Sequence, residues 1–129
     1  MKKYLFAIVA SGLWMNISEF IRNELVIKHI WVDGFNKIGL SFPSEPINGI
    51  IWGLWAFIFA GFLVLLNTKF DILKSTIISW IFGFVLLWIA MWNMGFLPSL
   101  VLCWAIPLSF FEVFVAALIC RKTLDYFAV

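Results

Sequence analysis

The stretch "YLFAIVASGLWMNISEFIRNE", Tyr4 to Glu24, decides how the chain is read. Its first half is as apolar as a membrane span. Its second half then gathers Asn16, Glu19, Arg22 and Asn23 within eight residues. At helical spacing Asn16, Glu19 and Asn23 share one face, and Arg22 lies beside it. An apolar helix with a polar stripe near its end belongs either in lipid or in a large buried core. The rest of the chain decides between these.

The chain has 129 residues, of which 64% are hydrophobic and 12% charged. A soluble domain averages about 45–50% apolar and about 25% charged. A chain this short has mostly surface, so a water-soluble core cannot absorb the excess. Four apolar stretches carry it, roughly 4–20, 47–66, 73–92 and 97–120. A bilayer core of about 30 Å takes about 20 apolar residues as a helix. In lipid each backbone N–H needs a partner within its own segment, and no strand-like alternation appears, so the spans read as helices. The start "MKKYLFAIVASG" has the basic opening of a signal peptide, but the apolar run continues past any plausible cleavage point and reads as the first span.

These features predict an all-α fold of one integral membrane domain, residues 1–129. It is a four-transmembrane-helix antiparallel bundle with helices at about 4–23, 46–67, 72–93 and 97–121. The links "NTKFDI" and "NMGFLP" are short and make hairpins. Asp71 suits an N-cap, and Pro46 and Pro98 suit first turns, where a missing N–H costs little. The one long connection, about 24–45, mixes Trp31, Phe35 and Leu40 with Lys28, His29 and Lys37. It reads as an interfacial outer loop with a break at Asp33-Gly34.

Net charge is +2, which gives no reason to expect nucleic acid. Its distribution says more. Lys2, Lys3, Lys69, Lys74, Arg121 and Lys122 fall on one side, and Arg22, Lys28 and Lys37 on the other. The positive-inside rule then places both termini in the cytoplasm and the long loop outside, in an inner membrane.

Small residues at three- and four-residue spacing mark helix faces that pack closely in lipid. They are Gly49, Gly53, Ala56 and Ala60 in span two, Ser75, Ser79, Gly83 and Ala90 in span three, and Ala105, Ser109 and Ala116 in span four. These stripes should meet the polar stripe of span one. Trp14, Trp52, Trp55 and Trp88 remain for lipid contact or for filling between helices.

Glu112 stands alone in "SFFEVFVAAL". A charge near the bilayer centre costs at least about 2.5–3.5 kcal/mol, so such a residue calls for a partner or a task. Helices rise about 1.5 Å per residue, which puts Asn16 about 18 Å and Glu19 about 22 Å above Tyr4, and Glu112 about 12 Å above Cys120. On these depths Asn16 reaches Glu112, whereas Glu19 and Arg22 do not without something between. One reading makes Glu112 and Asn16 interhelical glue and Glu19–Arg22 an interfacial pair. A second makes Asn16, Glu19, Arg22, Asn23 and Glu112 the walls of a polar ligand-binding pocket. A third makes the stripe an oligomer interface. Pro107 leaves the carbonyl of Cys103 without its helical partner, which can open space or only shape packing.

No metal or cofactor is expected. His29 is the only histidine, and one histidine cannot hold zinc or haem within this chain. Cys103 and Cys120 lie about 25 Å apart along one helix, too far for a disulfide. With no nucleophile–base pair or phosphate loop, the chain does not read as an enzyme. Two functions stand. One is binding or transport of a small-molecule or lipid-like ligand through the intramembrane pocket. The alternative is a non-catalytic subunit of a larger membrane complex. Membrane lipids are the expected surroundings, and a homo-oligomer or a membrane-protein partner stays open. "GLWMNISEFIRN" closing span one, a Trp-bearing loop and three further spans together resemble small uncharacterised bacterial four-helix integral membrane proteins. That resemblance implies architecture only.

Overall fold

Every regular element in the computed structural model, which describes residues 1–128, is a helix. We number them α1 (Lys2–Val26), α2 (Lys28–Lys37), α3 (Pro46–Asn67), α4 (Ile72–Asn93) and α5 (Ser99–Tyr126). All except α2 are long and apolar enough to cross a membrane. Two of them are not α-helical throughout. α1 turns π-helical over Ile21–Val26, and α4 does so over Ile81–Val85.

Local chemistry sets the ends. Pro46 opens α3 behind a capping box in which the Glu45 carboxylate accepts from the backbone and the Asn48 side chain accepts from Glu45 N–H. Asp71 caps α4 by accepting from Lys74 N–H at 2.9 Å. Gly39 and Gly95, at φ +76° and +79°, close α2 and α4. In each case the following amide reaches back five residues, Leu40 to Phe35 and Phe96 to Met91. A residue with a Cβ is strained in that left-handed position.

α1 packs along α3 and α5, and α4 packs along α5 and α3. Three buried clusters stack through the bundle. Ala7 meets Val64, Cys120 and Leu124 at one end. Met15 meets Ala56, Leu63, Phe84 and Val113 in the middle. Ile27 and Ile30 meet Leu97, Val101 and Ala105 at the other end. Small residues make the close approaches. Ala56, Ala60, Ser75, Ser79, Ala105, Ser109 and Ala116 are all buried, and Gly83 admits the ring of Phe59 where a Cβ would overlap it. Gly49 and Ala90, placed on the same stripes by spacing, are exposed instead.

Aromatic rings fill what the small residues leave open. Trp55 stacks on Phe59 at 5.3 Å, and both meet Phe84 edge-on. The chain of rings continues through Trp88 and Trp80 to Phe110. Trp14, Trp55 and Trp88 are thus packing residues, while Trp52 is exposed.

One further expectation is corrected. Asp33-Gly34 is no break, because α2 runs straight through it. Gly34 lies against the ring of Pro98, and a Cβ there would overlap it. Close approach, not a turn, is what requires glycine at this position. Pro107 sits inside α5 without interrupting it.

Candidate functional site

Glu112 is fully buried on α5. Its Oε2 accepts from Arg22 Nη1 at 2.5 Å and from Ser18 Oγ at 2.7 Å. Its backbone carbonyl accepts from Trp14 Nε1 at 2.9 Å. Three residues of α1, one helical turn apart, therefore hold one residue of α5. Arg22 Nη2 lies 3.9 Å from Glu19 Oε1, so one guanidinium stands between two carboxylates. Arg22 and Glu19 are 6% and 7% exposed. The guanidinium also lies over the Phe84 ring, 5.3 Å from its centre. Arg22 belongs to the π-helical part of α1 and Phe84 to that of α4, so the two irregular segments meet at this contact.

The partners differ from those expected from depth. Asn16 does not reach Glu112. Its amide donates to the carbonyl of Gly12 at 2.9 Å. Arg22 and Ser18 take the place assigned to it. α5 continues through Tyr126, so Glu112 stands about 21 Å above that end, against about 24 Å for Ser18 above Lys2. Taking Cys120 as the edge placed the carboxylate too low. An arginine side chain leaning toward the start of its own helix spans what remains.

A cavity of about 870 Å³ lies beyond the ion cluster, toward α2. Asn16, Glu19, Arg22 and Asn23 all line it, and Glu112 does not. Glu112 sits behind Arg22 and fixes it. The far wall is aromatic and comes from three other helices: Trp31 and Phe35 of α2, Trp52 and Trp55 of α3, and Phe84 and Trp88 of α4. Phe42 to Glu45, between α2 and α3, form the rim. Sequence reasoning missed Ser18, Trp14 and Phe84. A signal for the first existed. Ser11, Met15, Ser18 and Arg22 repeat the same helical spacing one residue out of step with Gly12, Asn16, Glu19 and Asn23, and the buried face of α1 takes in members of both rows.

Among the described residues no group of three or more His, Cys, Asp or Glu is placed to hold a metal ion. Cys103 is exposed and Cys120 buried, and both are free thiols. In chemical terms the site is an arginine pinned from below by a buried carboxylate, a second carboxylate at the cavity wall, and a broad aromatic surface. The class defined by fold and site is an all-α protein with four helices fit to cross a membrane and a polar floor to one cavity. No protein-family model matches the chain, and no curated protein or solved structure matches it either.

Proposed function

We propose that the chain is an integral membrane protein that binds a small amphipathic molecule in this cavity, as the binding step of carriage or transport. One observation carries the reading. The cavity has the size of a ligand site, its walls are mostly apolar, and its few polar groups converge on one floor at Glu19 and Arg22. A charged cluster is costly in lipid and is more often tied to a task than a hydrogen bond between neutral groups is.

The proposed setting is an antiparallel bundle in a bacterial inner membrane, with both termini cytoplasmic and α2 at the outer surface. The ladder of contacts supports the antiparallel order: Ala7 near Cys120, Ser18 at Glu112, and Ile27 near Val101. The six basic residues at the end with the termini support the orientation. In a cysteine-free background, Lys37→Cys should react with an impermeant maleimide in intact cells. Lys69→Cys should react only after permeabilisation. The reverse pattern would overturn the orientation.

Native mass spectrometry of protein taken gently from its own membranes tests the function. A retained mass is expected. Gly49→Phe should abolish it, because Gly49 lines the cavity and has open space in front of it. A bare wild-type protein, or a mass unaffected by filling the cavity, overturns the reading and favours a subunit of a larger complex.

A further inference from the structure

We infer that the cavity selects a cationic head, an ammonium carried on an apolar tail, and that Glu19 is the residue that receives it. This rests on the proposal that the cavity is a ligand site and names the ligand's chemistry.

The charges on the wall decide the sign. Glu19, Glu24 and Glu45 line the cavity, against Arg22 and Lys28. Both cations are already engaged. Lys28 Nζ donates to Glu24 at 2.5 Å, and Arg22 donates to Glu112 at the same distance. The Glu45 carboxylate is partly used by its helix cap. Glu19 is different. It is more than nine-tenths buried, it faces the cavity, and its nearest cation is Arg22 at 3.9 Å, beyond hydrogen-bond distance. With Glu112 included, the floor holds two carboxylates and one guanidinium, an arrangement that one further positive charge completes. An anion would meet Glu19 at close range, and the one guanidinium it could approach is already paired with Glu112.

The aromatic wall points the same way. Trp31, Trp52, Trp55, Phe35 and Trp88 all line one space. Rings attract cations through their quadrupole, and aromatic enclosures recognise alkylated ammonium groups. The same rings take up an apolar tail. Glu45, which is exposed, and Glu19, which is buried, both line the cavity, so acidic groups stand at its open and its closed parts and draw cations inward. An ammonium head can arrive on a free amine or on an aminophospholipid, and the cavity offers the same chemistry to either.

The test uses hexyltrimethylammonium in a nonionic maltoside detergent, read by the protein's tryptophan emission with empty micelles subtracted. Two competitors share its shape: the neutral isostere with a tert-butyl head, and hexanesulfonate. Saturable binding of the cation is expected, weaker for the neutral isostere by about tenfold or more. Glu19→Gln should reduce cation affinity by a similar factor and leave the isostere unchanged. Trp52→Leu, on the exposed edge of the wall, should weaken the cation about two- to fivefold. Trp52 is exposed, so that variant keeps the proposal testable if the glutamine variant fails to fold. Equal binding of the isostere or the sulfonate, or a cation affinity indifferent to both substitutions, overturns the inference and leaves the pocket reading standing. Saturation by none of the three overturns both. Where the cation binds, added phosphatidylethanolamine that displaces it assigns the site to a lipid headgroup, and lack of displacement assigns it to a free amine. Either result supports the cationic head.

Discussion

Removing Arg22 should cost far more than removing Glu112, although the two share one ion pair. Glu112 is fully buried, and its carboxylate has two donors, Arg22 and Ser18. Arg22→Gln leaves that carboxylate with Ser18 and leaves Glu19 without its neighbouring guanidinium. Stripping one partner from a buried pair costs about 3–5 kcal/mol. Glu112→Gln leaves the guanidinium with Glu19 nearby and keeps an oxygen for Ser18, so the loss is that of one charged hydrogen bond, about 1–3 kcal/mol. The double variant carries no orphaned charge on α5 and should recover at least about 2 kcal/mol relative to Arg22→Gln alone. Reversible unfolding in mixed micelles of mild detergent and dodecyl sulfate, followed by tryptophan emission, measures all four corners of the cycle. The unfolded chain in a micelle also finds partners for its polar groups, which lowers every figure alike. Additive losses, or a Glu112→Gln cost equal to that of Arg22→Gln, would refute the assignment of Arg22 as the shared cation.

Three further outcomes follow from local geometry. Gly34→Val should lift α2 from Pro98 and weaken the Trp31–Phe42 and Phe35–Phe96 stacks, at an overpacking cost of about 1–3 kcal/mol. Faster trypsin cleavage at Lys28 and Lys37 would register it. Trp80→Phe removes the 2.9 Å bond to Ser109 Oγ while keeping most of the ring contacts, and should lower stability by about 1 kcal/mol in the same unfolding assay. Asp71 has its carboxyl held below the usual range, chiefly by the Lys74 backbone N–H it accepts. A depressed group stabilises above its unfolded value and loses that effect as pH falls through its folded one. Protection of the Lys74 amide from hydrogen exchange should therefore drop on acidification. Asp71→Asn, which keeps an acceptor but does not titrate, should give a flat profile.

Much of this arrangement is legible in the residues, and the illegible part has definite causes. Length and composition give the four helices directly, because a span must satisfy its own backbone. Asp71, Pro46 and the small faces of α3, α4 and α5 follow from capping and close packing. The four residues of the α1 stripe do meet at one cavity. What the sequence hides is mostly register. Depth counted from the end of the apolar run misplaces Glu112 relative to Arg22, because α5 runs on through Arg121 and Lys122 to Tyr126. Charged residues at a helix end do not say whether the helix has ended. The π-helical turns are equally silent, because nothing in "IRNELV" or "IFGFV" distinguishes five-residue from four-residue hydrogen bonding. Gly34 misleads for a related reason. A glycine needed for close approach and a glycine needed for a turn are the same letter, and only the neighbour across the gap tells them apart.

The ion cluster is a poor device for stability alone. Apolar residues of similar volume at a buried ion pair are often neutral or stabilising by about 1–4 kcal/mol. The surroundings here would accept them: Met15, Phe84 and Val113 already pack around the middle of the bundle. A variant with Glu19→Leu, Arg22→Met and Glu112→Leu separates the two roles. If the cluster exists to hold helices together, this variant should unfold more readily than wild type. If it exists to present Glu19 to the cavity, the variant should be as stable as wild type or more so, and hexyltrimethylammonium binding should vanish. The π-helical turns favour the second outcome. Such turns are rare and frequently fall at functional sites, and the two in this chain meet where Arg22 lies over Phe84 at the cavity wall. A less stable triple variant that still bound the cation would show that the charges serve packing and that the aromatic wall alone recognises the ligand.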